Sequence, residues 1–145
     1  MPITIISYAR HVNFEIFDPI NRGVWENLAK AFKIDKHFYI TEDYPVMYSP
    51  SFRKVRSLEV AISYVDAVLV NVRPAERFKE ESVEFTWLDD FKHPPNACYC
   101  FGPNVGSAPL VKTDQNVALR IEPTELYDFT AASILLYHRQ SNGCL

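Results

Sequence analysis

The stretch ACYCFGPNVGSAPLVKTDQNVALRIEPTELYDFTAASILLY, residues 97–137, decides how the chain is read. Its first five residues, 97–101, are an apolar run that predicts a strand, and the run stops abruptly at Gly102-Pro103. A loop of glycine, serine and proline fills 102–109. A second apolar run over 117–121 then meets Pro123, and a helical pattern follows over 124–137. Ligands in open α/β sheets gather at the carboxyl ends of strands, where loops expose backbone groups. Strand, glycine loop, strand and helix in succession therefore mark out a site.

The upstream chain supplies the rest of such a sheet. ITIISY, residues 3–8, is β-branched and aromatic and predicts a buried strand. A connection with Arg10, His11 and Asn13 follows, and Asp18-Pro19 is a turn signal. Over 21–32 the period becomes helical: Val24, Leu28 and Phe32 recur every fourth residue, Trp25 and Ala29 lie alongside, and Asn21 suits the N-cap. KHFYI, 36–40, predicts a second strand, and 41–53, rich in Pro, Tyr and Ser, a surface loop. Ser57 can cap a helix bearing Leu58, Ala61, Ile62 and Val65 on one face. AVLVNV, 67–72, is nearly continuous apolar sequence, as expected of a strand covered on both faces. A charged segment, 73–82, suits a short helix, and 83–91 an extended piece, or one strand and a turn, stopped by His93-Pro94-Pro95. The order predicts a single domain over 1–145: an α/β fold with a mainly parallel sheet and helices on both faces.

Composition narrows the function. With 145 residues, 48% hydrophobic and 23% charged, the chain can bury a proper core. A net charge of −3 argues against wholesale nucleic-acid binding. Arg53, Lys54 and Arg56 form the best basic cluster, suited to a solvated loop or to local phosphate contacts. Cys98, Cys100 and Cys144 lack metal-type spacing. They read as small buried apolar groups in a reducing cytoplasm. No run approaches the ~20 apolar residues of a membrane span, and no basic segment leads into an apolar one at the N-terminus, so a cytoplasmic location without membrane contact is expected. Trp25, Phe32, Phe38, Tyr39 and Trp87 occupy positions that favour core rings over base-stacking platforms.

Residues 91–109 (FKHPPNACYCFGPNVGSAP) and 117–139 (VALRIEPTELYDFTAASILLYHR) resemble the C-terminal half of the SpoU-type SPOUT methyltransferases. NRGVWENLAKAF, 21–32, resembles that family's first motif, N-x-G-x-x-x-R followed by small residues and F-G. The resemblance implies a C-terminal trefoil knot, a rare exception to un-knotted topology. It also implies S-adenosylmethionine held in that knot, a homodimer with the site near the subunit contact, and methyl transfer to a ribose 2′-hydroxyl of tRNA or rRNA. Carried onto this chain, the cofactor pocket falls on Phe101, Gly102, Gly106, Ser107, Ile121 and Leu126. Plain turn chemistry is the other reading of the two glycines.

The departures fall on polar positions. The first-motif arginine is Asn27, the loop glutamate is Asn104, and the asparagine opening the last helix is Tyr127. These three are the catalytic positions that the resemblance assigns. The serine two positions on is Phe129, and the glycine after the first motif's phenylalanine is Lys33. A 2′-hydroxyl is a poor nucleophile until its proton is shared or withdrawn. Asn27 can orient such a group but cannot take its proton. A slow enzyme, a re-tooled one, or a non-catalytic binding or interaction protein on the same scaffold would each follow. An unrelated flavodoxin-like nucleotide-binding protein is the rival outside the family. His11 is the best-placed alternative base, Glu26 and Asp128 being turned about 100° from the matched positions.

Overall fold

The computed structural model describes residues 2–8, 14–41, 52–103, 108–112, 115–119 and 126–143, the side chains of 14–19 and 52 excepted. The strands are β1 (Ile3–Tyr8), β2 (Lys36–Ile40), β3 (Phe52–Val55), β4 (Val68–Val72), β5 (Thr86–Trp87), β6 (Ala97–Phe101) and β7 (Gln115–Ala118). Among the described residues they form one sheet in the order β3-β2-β1-β6-β4-β7-β5, every pairing parallel. Helices α1 (Phe14–Phe32) and α4 (Asp128–Ser141) cover one face. Helices α2 (Leu58–Ser63) and α3 (Ala75–Glu80) belong to the other clusters. An all-parallel sheet needs cover on both faces, and continuous apolar strands such as ACYCF supply the surface to be covered.

Strand β6 lies between β1 and β4, and all five of its residues are buried. Tyr99 and Phe101 join Trp25 and Leu28 of α1 and Ala132, Leu135 and Leu136 of α4. Cys98 and Cys100 face the other way, among Ile6, Phe38, Val55 and Ala61. Their reading as buried apolar groups is borne out. Burial and the neighbouring thiol push the Cys98 pKa upward, the Cys100 contact being the larger cause. Trp25, Phe38 and Tyr39 are core rings, as expected.

The expected elements hold with four differences. Helix α1 begins at Phe14, so Asp18-Pro19 is helical and Asn21 lies inside the helix. A proline near the start of a helix forfeits one backbone bond, and Asn21 Nδ2 instead donates to the Tyr39 hydroxyl at 2.6 Å. Strand β3 arises within and just beyond the expected loop, because an edge strand needs little apolar content. Strand β7 starts at Gln115 rather than 117, its polar Asn116 being bonded inside the fold. Helix α4 is shifted to Asp128, which leaves Tyr127 at the cap position. Ser57 caps α2 as expected, accepting from the Val60 N–H at 3.2 Å.

Candidate functional site

The site is built by the way the chain leaves β6. The strand ends at Phe101 in the middle of the sheet, and β7 lies on the far side of β4. The chain must therefore pass β4 between the end of β6 and the start of β7. One buried side chain secures the crossing. Asn71, in β4, donates to the Val111 carbonyl at 3.0 Å, accepts from the Val111 N–H at 3.1 Å and donates to Asn116 Oδ1 at 2.8 Å. A polar side chain in an apolar strand is costly to bury unless bonded. Here it stands in for a strand neighbour, holding the returning segment by both its backbone groups.

Beneath the start of the crossing lies Arg73, immediately after β4 and 8% exposed. Its guanidinium donates to the Val72 carbonyl at 3.0 Å and to the Cys100 carbonyl. Its backbone N–H donates to Val117 O at 3.3 Å. Arg73 thus joins the carboxyl ends of β4, β6 and β7. Burial lowers its pKa, with Cys100 and Tyr8 opposing, yet an arginine keeps its charge. A β-carbon added at Gly102 would come within 3.1 Å of Arg73 Nε. Glycine is needed there for close approach, not for an unusual turn. A second cation, Arg77 of α3, donates to the Ala108 carbonyl at 3.0 Å and pairs with Glu81 at 3.1 Å.

Helix α4 begins at the same edge of the sheet. Near its other end, Arg139 donates to the carbonyls of Pro94 and Pro95, which precede β6, so residues 126–128 lie toward the carboxyl ends. Leu126 is half-buried. Tyr127 is 57% exposed, its ring 5.7 Å from that of Phe129, so it does not bury itself in the crevice. Asp128 is buried and accepts from the Phe129 N–H at 2.6 Å.

Phe101, Gly102, Leu126 and Tyr127 are therefore placed toward one edge. Asn27 is not brought to them within this chain. Asn21 marks the level of Tyr39, and Asn27 lies six residues further along α1, roughly 9 Å nearer the amino edge, with its side chain exposed. Asn104, Gly106, Ser107 and Ile121 fall outside the described residues, as does His11. Glu26 pairs with Arg22 at 3.7 Å.

Sequence reasoning missed Arg73 and Asn71. Asn71 was signalled by a lone polar residue inside AVLVNV, and Arg73 by an arginine directly after that strand and before Pro74. Two histidines also proved to be core groups. Ser7 Oγ and His37 Nε2 lie 2.6 Å apart, with the Trp25 ring 4.5 Å from the imidazole. The pair has the form of nucleophile and base, but both residues are sealed from solvent, and burial lowers the His37 pKa to about 3. At the amino edge, His93 Nδ1 meets the Tyr99 hydroxyl at 2.7 Å and His93 Nε2 meets His138 Nδ1 at 2.8 Å. A shallow pocket of about 590 Å³, lined in part by Asp90, Lys92, His93 and Asn116, opens on that edge, opposite Gly102. Among the described residues, no group of three or more His, Cys, Asp or Glu side chains could hold a metal. No helix among them is long and apolar enough to cross a membrane.

Comparison with known proteins places the fold. The chain is similar, with a TM-score of 0.68 and 15% identity, to a structure described as giving insights into the 2-OH methylation of C/U34 on tRNA, covering 98% of this chain and 97% of that one. It is also similar to an rRNA methyltransferase from Sinorhizobium meliloti, with a TM-score of 0.68 and 12% identity, and to the AdoMet-bound rRNA methyltransferase from the same organism, with a TM-score of 0.65 and 10% identity. This chain spans 56% of the length of each of the latter two. No family model matches the chain, and no curated protein matches it. At these identities the likeness establishes the architecture, an all-parallel α/β fold shared with RNA methyltransferases.

Proposed function

We propose that this protein is an S-adenosylmethionine-binding RNA methyltransferase of the SPOUT type, knotted at its C-terminal segment, working as a homodimer on a ribose 2′-hydroxyl of tRNA or rRNA. The observation that carries this reading is the end-to-end likeness to a protein described by 2-OH methylation of tRNA. Gly102, directly after β6 at the carboxyl edge of the sheet, supports the same reading. The order of the sheet is in keeping with a knot, since β6 inserts between β1 and β4 and the chain then crosses β4 before returning as α4.

The residues at that edge fit the cofactor. Gly102, Pro103 and Leu126, each half-buried, lie toward the same edge, and the exposed Tyr127 ring does not fill it. Arg73 sets a fixed positive charge under the loop, suited to a carboxylate. The cofactor would supply an electrophilic methyl group on a sulfonium. This chain's part is to hold and orient that group and to exclude water around it. The ribose oxygen must shed its proton as it accepts the methyl, and Asn27 cannot receive that proton. Loss of a general base costs ~10²–10⁴ in rate, so turnover is expected to be slow.

Isothermal titration with S-adenosylmethionine tests the reading: saturable binding is expected, and none at millimolar ligand would overturn it. Asn27 favours a second reading, a non-catalytic member of the same fold. Methylation of total tRNA or rRNA by the purified protein would remove that rival.

A further inference from the structure

We infer that the edge of the sheet formed by β3 and α2 is the docking surface for an unpaired RNA segment that leads toward the Gly102 loop, an inference that rests on the RNA-methyltransferase reading. Arg53 and Lys54 lie on β3, and Arg56 directly after it, at the outer edge of the sheet. Arg53 and Arg56 are exposed and Lys54 half-buried. Among the described residues, none of the three has a carboxylate within 4.0 Å. In a chain of net charge −3, three cations within four residues, none with a carboxylate partner among the described residues, make a local field of the sign that attracts phosphates.

Charge alone would suit any polyanion. The aromatic arrangement narrows the partner. The Arg53 guanidinium lies 4.9 Å from the centroid of the Tyr64 ring. That ring stacks on buried Phe38, centroids 5.9 Å apart and planes within 9°. Tyr64 is 52% exposed. Held against Phe38 and the Arg53 guanidinium, the exposed Tyr64 ring offers a flat surface to an unpaired base, while neighbouring cations meet its phosphates. A duplex keeps its bases stacked and has no use for such a platform.

Strand register ties the platform to the candidate site. Arg53 pairs with Phe38, Phe38 with Ile6, and Ile6 with Cys100, the residue before Phe101. Three strand spacings separate Arg53 from β6, about 14 Å. Arg53 and the end of β6 therefore stand at one height, and an RNA strand following the carboxyl edge of the sheet spans both.

The test uses the full chain and fluorescently labelled unfractionated tRNA, with anisotropy measured as salt is raised. The variant R53Q/K54Q/R56Q should lose at least tenfold in affinity, and its salt slope should fall by about 2, as three lost contacts to single strands predict. Tyr64→Leu keeps apolar cover over Phe38 but removes the ring. It should weaken binding about tenfold at unchanged salt slope. Thermal melts matching the wild type verify folding. If the wild type binds tRNA and neither variant changes affinity or slope, the docking surface is refuted. Absence of any tRNA binding at low salt refutes it as well. Titration of the same proteins with S-adenosylmethionine reports separately on the cofactor reading: affinity should be equal in all three, and absence of binding in the wild type defeats that reading whatever the RNA result.

Discussion

The two edges of the sheet handle buried charge in opposite ways. At the amino edge, Arg139 is 1% exposed and spends its guanidinium on three acceptors: Pro94 O at 2.7 Å, Pro95 O at 2.7 Å and the Tyr99 hydroxyl at 3.0 Å. His93 and His138 extend the same chain of bonds and fix α4 to the approach of β6. At the carboxyl edge, Arg73 is also buried but is bonded to two strand-end carbonyls beneath a loop. One arginine ties a helix to the approach of a strand, and the other joins strand ends beside Gly102. Burial of a cation is therefore no guide to function by itself. What separates the two is the neighbour: two proline carbonyls ahead of a strand at one edge, and Gly102 after a strand at the other.

The largest expected effect breaks the amino edge. Arg139→Met strands three acceptors, and chemical denaturation should show a loss of about 3–5 kcal/mol. Cofactor affinity of the folded fraction should be unchanged if the edges are independent. Next is acid. The folded-state pKa of His37 is lowered by burial to about 3. That of His93 is lowered to about 4, by burial first and then by His138 and Arg139. The unfolded chain takes up these protons first, so stability is full above about pH 6.5 and falls as pH drops toward the folded values. His37 alone should cost roughly 2 kcal/mol between pH 7 and 5, read from thermal melts across that range. A flat profile would show that the imidazoles are protonated inside the fold.

A smaller effect is expected at the carboxyl edge. Gly102→Ala sets a methyl group 3.1 Å from Arg73 Nε. Arg73 must shift, and S-adenosylmethionine binding should weaken about tenfold, about 1.4 kcal/mol, with a smaller change in stability. If stability falls and binding does not, Gly102 serves packing only. The smallest effect belongs to Asn27→Ala. The residue is exposed, so stability should move by less than about 0.5 kcal/mol and cofactor affinity not at all, as calorimetry would show.

Much of the fold was legible because parallel strands advertise themselves. ITIISY, AVLVNV and ACYCF are apolar on both faces and need no partner to be recognised. FRKV was not legible, since an edge strand is defined by its neighbour rather than by its own pattern. Nor was the start of α1: Asp18-Pro19 carries a turn signal that the helix overrides. In the site, Gly102 was visible as a break after an apolar run. The local signals of Asn71 and Arg73 did not reveal their roles, which depend on partners far along the chain, Val111 for Asn71 and Cys100 and Val117 for Arg73. No local window contains that relation. Asn27 was found by likeness alone, and likeness carries position in sequence, not the exposure that the helix gives it.

The central place of β6 has a consequence for how the molecule assembles. Strands β1 and β4 do not pair with each other and meet only through residues 97–101. During synthesis, both β1 and β4 emerge before the keystone strand is available. Until then β1 and β4 each present an open apolar flank. Closure at such sequence separation is slow and exposes the nascent chain to aggregation. Conditions that delay translation between β4 and β6 should therefore tax the yield of this protein more than its thermodynamic stability would suggest.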